Sequence, residues 1–378
     1  MDPGRWSDEG FLDSLRRQGD PLADQAVARL LGQNEVRTVN AIFKKLRADD
    51  DPLPADTPEP FREFLEATRD LPPGADYSRL ARGGNVFLEY AAFAAVSMLA
   101  SSLPRGYAAP CLCEILSISG ELEKHPYQRL MGVVQLLVNV SSPGSFQTDG
   151  KAIITAQKLR LLHAGVRTMV PRFRPGYEEK YGMPVNHEDM LATIMGFSYL
   201  VIHGLRRLGL PLSDEEAEDY YYLWYIYAQM MGIREEYVPP TLSEAGEFYN
   251  SFVRRHDTGP EKNPYGVILA KANLAMMKSL IPRHLRLLGF GAAPAIAMAQ
   301  LMTPEEMARV SVRPVTGHRP IRNLLHLVLY LTQGVKDLPF AARLAVLIFQ
   351  DMINTSRGGQ VTFTIPVTLA GLRDQAME

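Results

Sequence analysis

From residue 85 onward, apolar side chains return every three or four positions in long runs, the spacing of one buried face of an α-helix. The pattern predicts helices over 85–103, 110–122, 126–140, 150–170, 187–208, 214–232, 242–254, 264–289, 303–310, 319–333 and 337–355. Ahead of them, one helix follows Asp20-Pro21 through Leu31 and another covers Val36 to Leu46. Two starts are marked by their chemistry. Ser213 with Glu216, and Thr303 with Glu306, have the capping-box spacing, and Pro304 suits the first helical position. The acidic, proline-rich stretch DDDPLPADTPEP (Asp49 to Pro60) reads as a loop. Only VTFTIPVTL (Val361 to Leu369) alternates with period two, and Pro366 would confine it to a sheet edge. No βαβ rhythm, internal repeat or low-complexity tract occurs. The expectation is an all-α protein: an N-terminal helical arm and linker over 1–60, one large helical domain over 61–378, and at most a minor C-terminal β segment.

Composition adds limits. The chain has 378 residues, 46% hydrophobic and 22% charged, with a formal net charge of -2. That balance gives no electrostatic reason to expect nucleic acid. Cys111 and Cys113 are too close on one helix to pair or to form a zinc pattern. The start, MDPGRWSDEGFLDSLRRQGD, lacks the apolar core of a signal peptide. The apolar runs Tyr90 to Leu103 and Met190 to Ile202 are shorter than the roughly 18–20 residues that span a bilayer. The reading is a cytoplasmic protein without an integral membrane segment.

Candidate chemistry starts from absences: no GxGxxG after a strand, no P-loop, no HExxH and no GxSxG. A helical enzyme lacking these often holds a cofactor between helices. Of eight histidines, His125, His187, His256, His284 and His318 lie in polar or loop-like surroundings. His203 and His326 lie on apolar helices, where a hydrogen-bonded core histidine is the ordinary reading. His163, in KLRLLHAGVRT, is different. Arg160 and Arg167 lie three before and four after it on one helical face. Flanking cations favour the neutral imidazole that a metal ligand must be. The guanidiniums would suit carboxylates beside that metal. Haem offers both, iron for the imidazole and propionates for the arginines. Glu114, in PCLCEILSISG, is a lone carboxylate in an apolar helix. It is read either as a boundary residue reaching solvent or an arginine, or as a base or proton shuttle. Arg129 is its nearest obvious charge partner in sequence. The run DYYYLWYIYAQMMG reads as core aromatic packing.

Several blocks then resemble a known family. HAGVR at 163–167, Arg129-Leu130 before it, GDPLAD at 19–24 and the stretch from Met183 to Ile233, with its NxEDxxxT, GLxxLG and W…MGI pattern, are similar to the rubber oxygenases (latex-clearing proteins) and the related fungal oxygenase mpaB. The resemblance implies a globin-like helical core that binds haem b through His163, with dioxygen chemistry on the other face. It also implies a role for Arg129 beside the iron. Two departures stand out. Gly132 and Val133 occupy positions that hold lysine and threonine in the rubber-cleaving members. The family's catalytic glutamate aligns without gaps with Cys113, so Glu114 takes its place only with a shift of one residue.

The function expected is a haem b-dependent oxygenase using dioxygen on a small apolar metabolite, prenylated, terpenoid or polyketide-like. Catalytic groups would be Arg129 and Glu114; His163 would bind iron, with Arg160 and Arg167 as propionate contacts. Any electrons needed would come from a donor protein. The alternatives are a non-catalytic haem sensor or carrier, and a cofactor-free helical interaction protein.

Overall fold

The computed structural model describes residues 4–119, 126–314 and 365–366. Several helices begin where the sequence supplies a capping side chain. Asp8 opens α1 (Glu9–Leu15) by accepting from the Phe11 amide. Asp20 does the same for Ala23 at the start of α2 (Pro21–Gly32). After α3 (Val36–Lys45) and the proline-rich loop come α4 (Glu59–Ala67) and α5 (Tyr77–Ser97), the latter capped by Asp76. A π-helical turn, Met98–Ser102, joins α5 to α6 (Leu103–Gly106). Next are α7 (Pro110–Ser119), α8 (Pro126–Ser141), α9 (Ala152–Phe173) and α10 (Tyr177–Tyr181). They are followed by α11 (His187–Phe197), α12 (Tyr199–Arg207) and α13 (Asp214–Met230). The last described are α14 (Leu242–His256), α15 (Pro264–Ser279), α16 (Arg283–Leu287), α17 (Ala293–Leu301) and α18 (Pro304–Arg309). The fold is all-α, and no strand occurs among the described residues. Both expected capping boxes, at Ser213 and Thr303, are formed.

Three boundaries differ from the periodicity. The helix expected over 187–208 breaks at Ser198, whose φ of -110° and ψ of -85° leave the helical region. The one expected over 264–289 ends at Ser279, because Pro282 cannot continue it. The helix expected from 85 starts at Tyr77, and Tyr77 to Gly106 runs continuously for 30 residues. Among the described residues it is the one stretch long and apolar enough to cross a membrane by length and composition, with 61% of its apolar window buried inside the protein. It is built against α13 and α12. A Cβ on Gly83 would lie 2.4 Å from the Asp219 carbonyl oxygen, so α5 and α13 approach this closely only because the residue is glycine. Arg79 and Arg82 then bind the Asp219 side chain from across the contact. Helices α1, α4, α10 and α17 were not anticipated; all are short. The predicted helices over 319–333 and 337–355 lie outside the described residues, as does the β segment apart from Ile365 and Pro366.

The main core contains the tyrosine-rich α13, with Tyr220, Tyr221, Trp224 and Tyr227 fully buried beside Phe87 and Phe248. A second core joins α2, α3 and α4 to one side of α9 through Ile154, Leu161 and Ala164. Each large apolar side chain buried there stabilises by about 1.5–3 kcal/mol. The N-terminal helices α2, α3 and α4 therefore pack onto α9. A third, smaller core groups Val166, Met169 and Val170 of α9 with Tyr177, against Ile115 of α7. Helix α9 thus borders all three cores, and the candidate residues are organised around it.

Candidate functional site

Helix α9 is held at its start by a group from far away in sequence. Lys151 gives its N-cap position no side-chain acceptor. The Asp49 carboxylate does so instead, accepting from Ile154 N at 2.7 Å and Ile153 N at 3.3 Å. Burial pushes the Asp49 carboxyl up to about 6. His163 sits near the middle of the helix and is half-buried. One turn either way on its face are Leu159, in the main core, and Val166, in the third. The imidazole therefore stands on the side of α9 that meets α7 and α8. Gly165 turns another face toward the C-terminal residues: a Cβ there would lie 2.6 Å from Pro366 Cδ. Asn40 pairs with the Ile365 backbone at 2.8 and 2.9 Å and anchors that contact.

The two arginines beside His163 have partners that spacing did not reveal. Arg160 forms a bidentate pair with Asp20, Nε to Oδ2 at 2.6 Å and Nη2 to Oδ1 at 2.9 Å, and its Nη1 donates to Met230 O at 3.3 Å. Arg167 Nε donates to Asp24 at 2.7 Å and its Nη1 to Val185 O at 3.3 Å. Asp20 and Asp24 both come from the GDPLAD block. The arginine stripe thus clamps the first turn of α2 onto α9. Two glycines of the quoted blocks make room for it. A Cβ on Gly232 would lie 2.8 Å from Asp20 Oδ2, and one on Gly19 would lie 3.2 Å from Arg167 Cδ. The expected frame of free cations around His163 is consequently neutralised pair by pair, and the argument that these charges keep the imidazole neutral falls away. One donor is left over: Arg167 Nη2 is buried without a hydrogen-bond partner among the described residues.

Glu114, on α7, accepts from Tyr181 Oη at 3.1 Å and lies 3.5 Å from Lys180 Nζ. Its side chain is 24% exposed, so it is a boundary residue held by α10. Arg129 lies in α8, and its side chain is outside the described residues. Its neighbours Gly132 and Val133 turn inward on α8, Gly132 buried and Val133 packed against the main core. The structure therefore brings His163, Glu114's helix and Arg129's helix to one side of α9, and puts Arg160 and Arg167 on the adjoining one.

Other histidines resolve differently from their sequence surroundings. His187 is 2% exposed, not a loop residue, and burial lowers its pKa to about 4. His256 donates or accepts at 3.0 Å with the fully buried Glu188, which also binds Arg16 at 2.7 Å and Arg255 at 3.2 Å. Asp189 receives Arg16 at 3.1 Å and Asn186 at 2.9 Å. The NxED block is thus a buried latch joining α1, α11 and α14. His203 is half-buried, its pKa lowered by burial and by Arg105. His284 is exposed, as its context suggested; His125, His318 and His326 lie outside the described residues. A groove of about 530 Å³ lined by Lys271, Pro304, Ala308 and Arg313 contains none of the candidate residues.

Whether these residues suit haem can be tested on the donor set. Among the described residues no group of three or more His, Cys, Asp or Glu could hold a metal ion. A bare transition metal needs three or four protein ligands, whereas a macrocycle brings its own nitrogens and needs one axial imidazole. A single histidine with apolar side chains on its own helix face, one turn from a buried unpaired guanidinium N–H, fits the second case.

Residues 77–328 match the family described as "ER-bound oxygenase mpaB/B'/Rubber oxygenase, catalytic domain". The chain belongs to this oxygenase family. Among individual proteins, it is similar to the rubber oxygenase of Streptomyces sp. (strain K30), 26% identical over 235 residues that make up 60% of this chain and 56% of that protein. The chain therefore spans little more than half the length of that relative. A solved structure of latex clearing protein LCP in the closed state superposes with a TM-score of 0.73 at 22% identity, over 89% of this chain and 90% of the other. The likeness supports one helical fold through most of the chain.

Proposed function

We propose that this protein is a haem b-dependent oxygenase that uses dioxygen to oxidise or cleave a small apolar metabolite of prenylated, terpenoid or polyketide-like character. The observation that carries the reading is His163, half-buried on the face of α9 that meets α7 and α8, in a chain whose family is one of oxygenases. His163 would bind the iron, and haem supplies the redox centre for dioxygen chemistry. Arg167, through its unpartnered Nη2, is the donor for a propionate. Arg160, with three of its N–H groups engaged, contributes by fixing α2 against α9.

The chain's other residues have separable tasks. Arg129 brings a permanent positive charge to α8. Glu114, joined to the Tyr181 phenol, holds or accepts a proton on α7 at the solvent boundary. Gly132 and Val133 carry no ionisable group, and the wall they form favours an apolar substrate over a polar one. The rubber oxygenase relative is named for a polyisoprene substrate; a smaller isoprenoid is the reading we carry to this chain. Dioxygen uptake by haem-loaded protein, with prenylated compounds offered singly, tests the activity. Uptake that follows one compound and is absent without protein supports the oxygenase. Haem binding with no uptake for any compound would favour a sensor or carrier.

A further inference from the structure

Between Glu261 and Glu305 the chain contains Lys262, Lys271, Lys278, Arg283 and Arg286 and no acidic residue, although its formal net charge is -2. All five cations are exposed, and none is in an ion pair with a described residue. Lys271 and Lys278 share one solvent-facing stripe of α15 with Ile268, which is 40% exposed. That helix, roughly 24 Å long at 1.5 Å per residue, leads into the turn containing α16. Leu287 and Leu288 stand there at 83% and 73% exposure, the highest of any large apolar side chain described. Arg283, His284 and Arg286 surround them, all exposed.

We propose that this basic, leucine-tipped edge docks on an anionic phospholipid surface. Adjacent leucines held out into water mark a contact surface, not ordinary exterior. Their setting selects the partner. A stable protein interface needs about 800 Å² from each side, which a five-residue helix with two projecting leucines does not offer. Insertion into the interfacial layer of a bilayer needs only a few apolar side chains with cations around them. The unpaired Lys271, Lys278, Arg283 and Arg286 complement an anionic headgroup layer, each raising partition roughly fivefold. The inference is independent of the haem and of the reaction.

The test is co-sedimentation of the full chain with large unilamellar vesicles, either phosphatidylcholine alone or phosphatidylcholine mixed with phosphatidylglycerol. Wild type should pellet with the anionic vesicles, bind phosphatidylcholine far less, and release as salt rises. Arg283→Ser/Arg286→Ser and, separately, Leu287→Ser/Leu288→Ser should each bind at least about tenfold more weakly, with far-UV circular dichroism and thermal transition unchanged. Wild type left in the supernatant, or either variant binding like wild type, overturns the proposal. So does concentration-dependent dimerisation of wild type, abolished by the leucine substitutions, with no vesicle binding; that result assigns the edge to a second copy.

Discussion

Changing Asp20 to asparagine probes how α9 is held. Asp20 and Arg160 expose only 4% and 10% of their side chains, and two hydrogen bonds of 2.6 and 2.9 Å join them. Asparagine keeps the shape and the capping acceptor for the Ala23 amide. It removes only the charge, leaving a buried guanidinium uncompensated. Breaking a buried pair in this way costs about 3–5 kcal/mol. Equilibrium urea unfolding followed by far-UV circular dichroism should show the midpoint falling by roughly 1 M. The cycle is completed by Arg160→Met and by Asp20→Asn/Arg160→Met. Because removing both charges leaves none stranded, the double variant should be more stable than either single change. A midpoint shift below about 0.2 M for Asp20→Asn, or purely additive losses in the cycle, would refute the claim that this pair clamps α2 to α9.

Gly232→Ala should destabilise comparably, since its φ of 87° and the 2.8 Å approach to Asp20 leave no place for a methyl group; a thermal transition like wild type would contradict that. The Asp49 carboxyl, raised to about 6 from an ordinary 3.8, keeps its proton in the folded chain after the unfolded chain has lost it. Its contribution therefore falls as pH rises from about 4 to 6, and Asp49→Asn should gain stability relative to wild type across that window. Parallel denaturation curves at pH 4.5 and 7.5 check this, and an unchanged difference refutes it. Glu114→Gln should keep haem content while turnover falls roughly 10²–10⁴-fold; undiminished turnover would assign Glu114 to fixing α10 on α7. With Gly132 and Val133 offering no ligating side chain, ferric protein should bind added imidazole readily and show a high-spin spectrum. A low-spin resting spectrum with two nitrogen ligands would point to a second histidine, with His203 the first to test.

The helical class, the capping boxes and the aromatic core of α13 were legible because each depends on neighbours within one or two turns. His163 stood out for the same reason, as an imidazole in an apolar run. What sequence did not give is pairing across distance. Arg160 finds Asp20 and Arg167 finds Asp24 across more than a hundred residues, so local spacing showed the guanidiniums without their carboxylates. The GDPLAD block carries a family resemblance, and its acidic residues at 20 and 24, one helical turn apart, are the available signal. The polar neighbours of His187 suggest a loop, whereas they form a buried latch at the start of α11. The apolar run read from Tyr90 to Leu103 is part of a longer helix, Tyr77 to Gly106, whose first turns hold Gly83 for close packing against Asp219.

The most direct measurement is the haem content and absorption spectrum of the purified, haem-loaded protein beside His163→Ala. The account predicts one haem per wild-type chain with a Soret band, and loss of both in the variant while its far-UV circular dichroism is unchanged. A variant that retains full haem with an unaltered spectrum, or a wild type that takes up none, would contradict it.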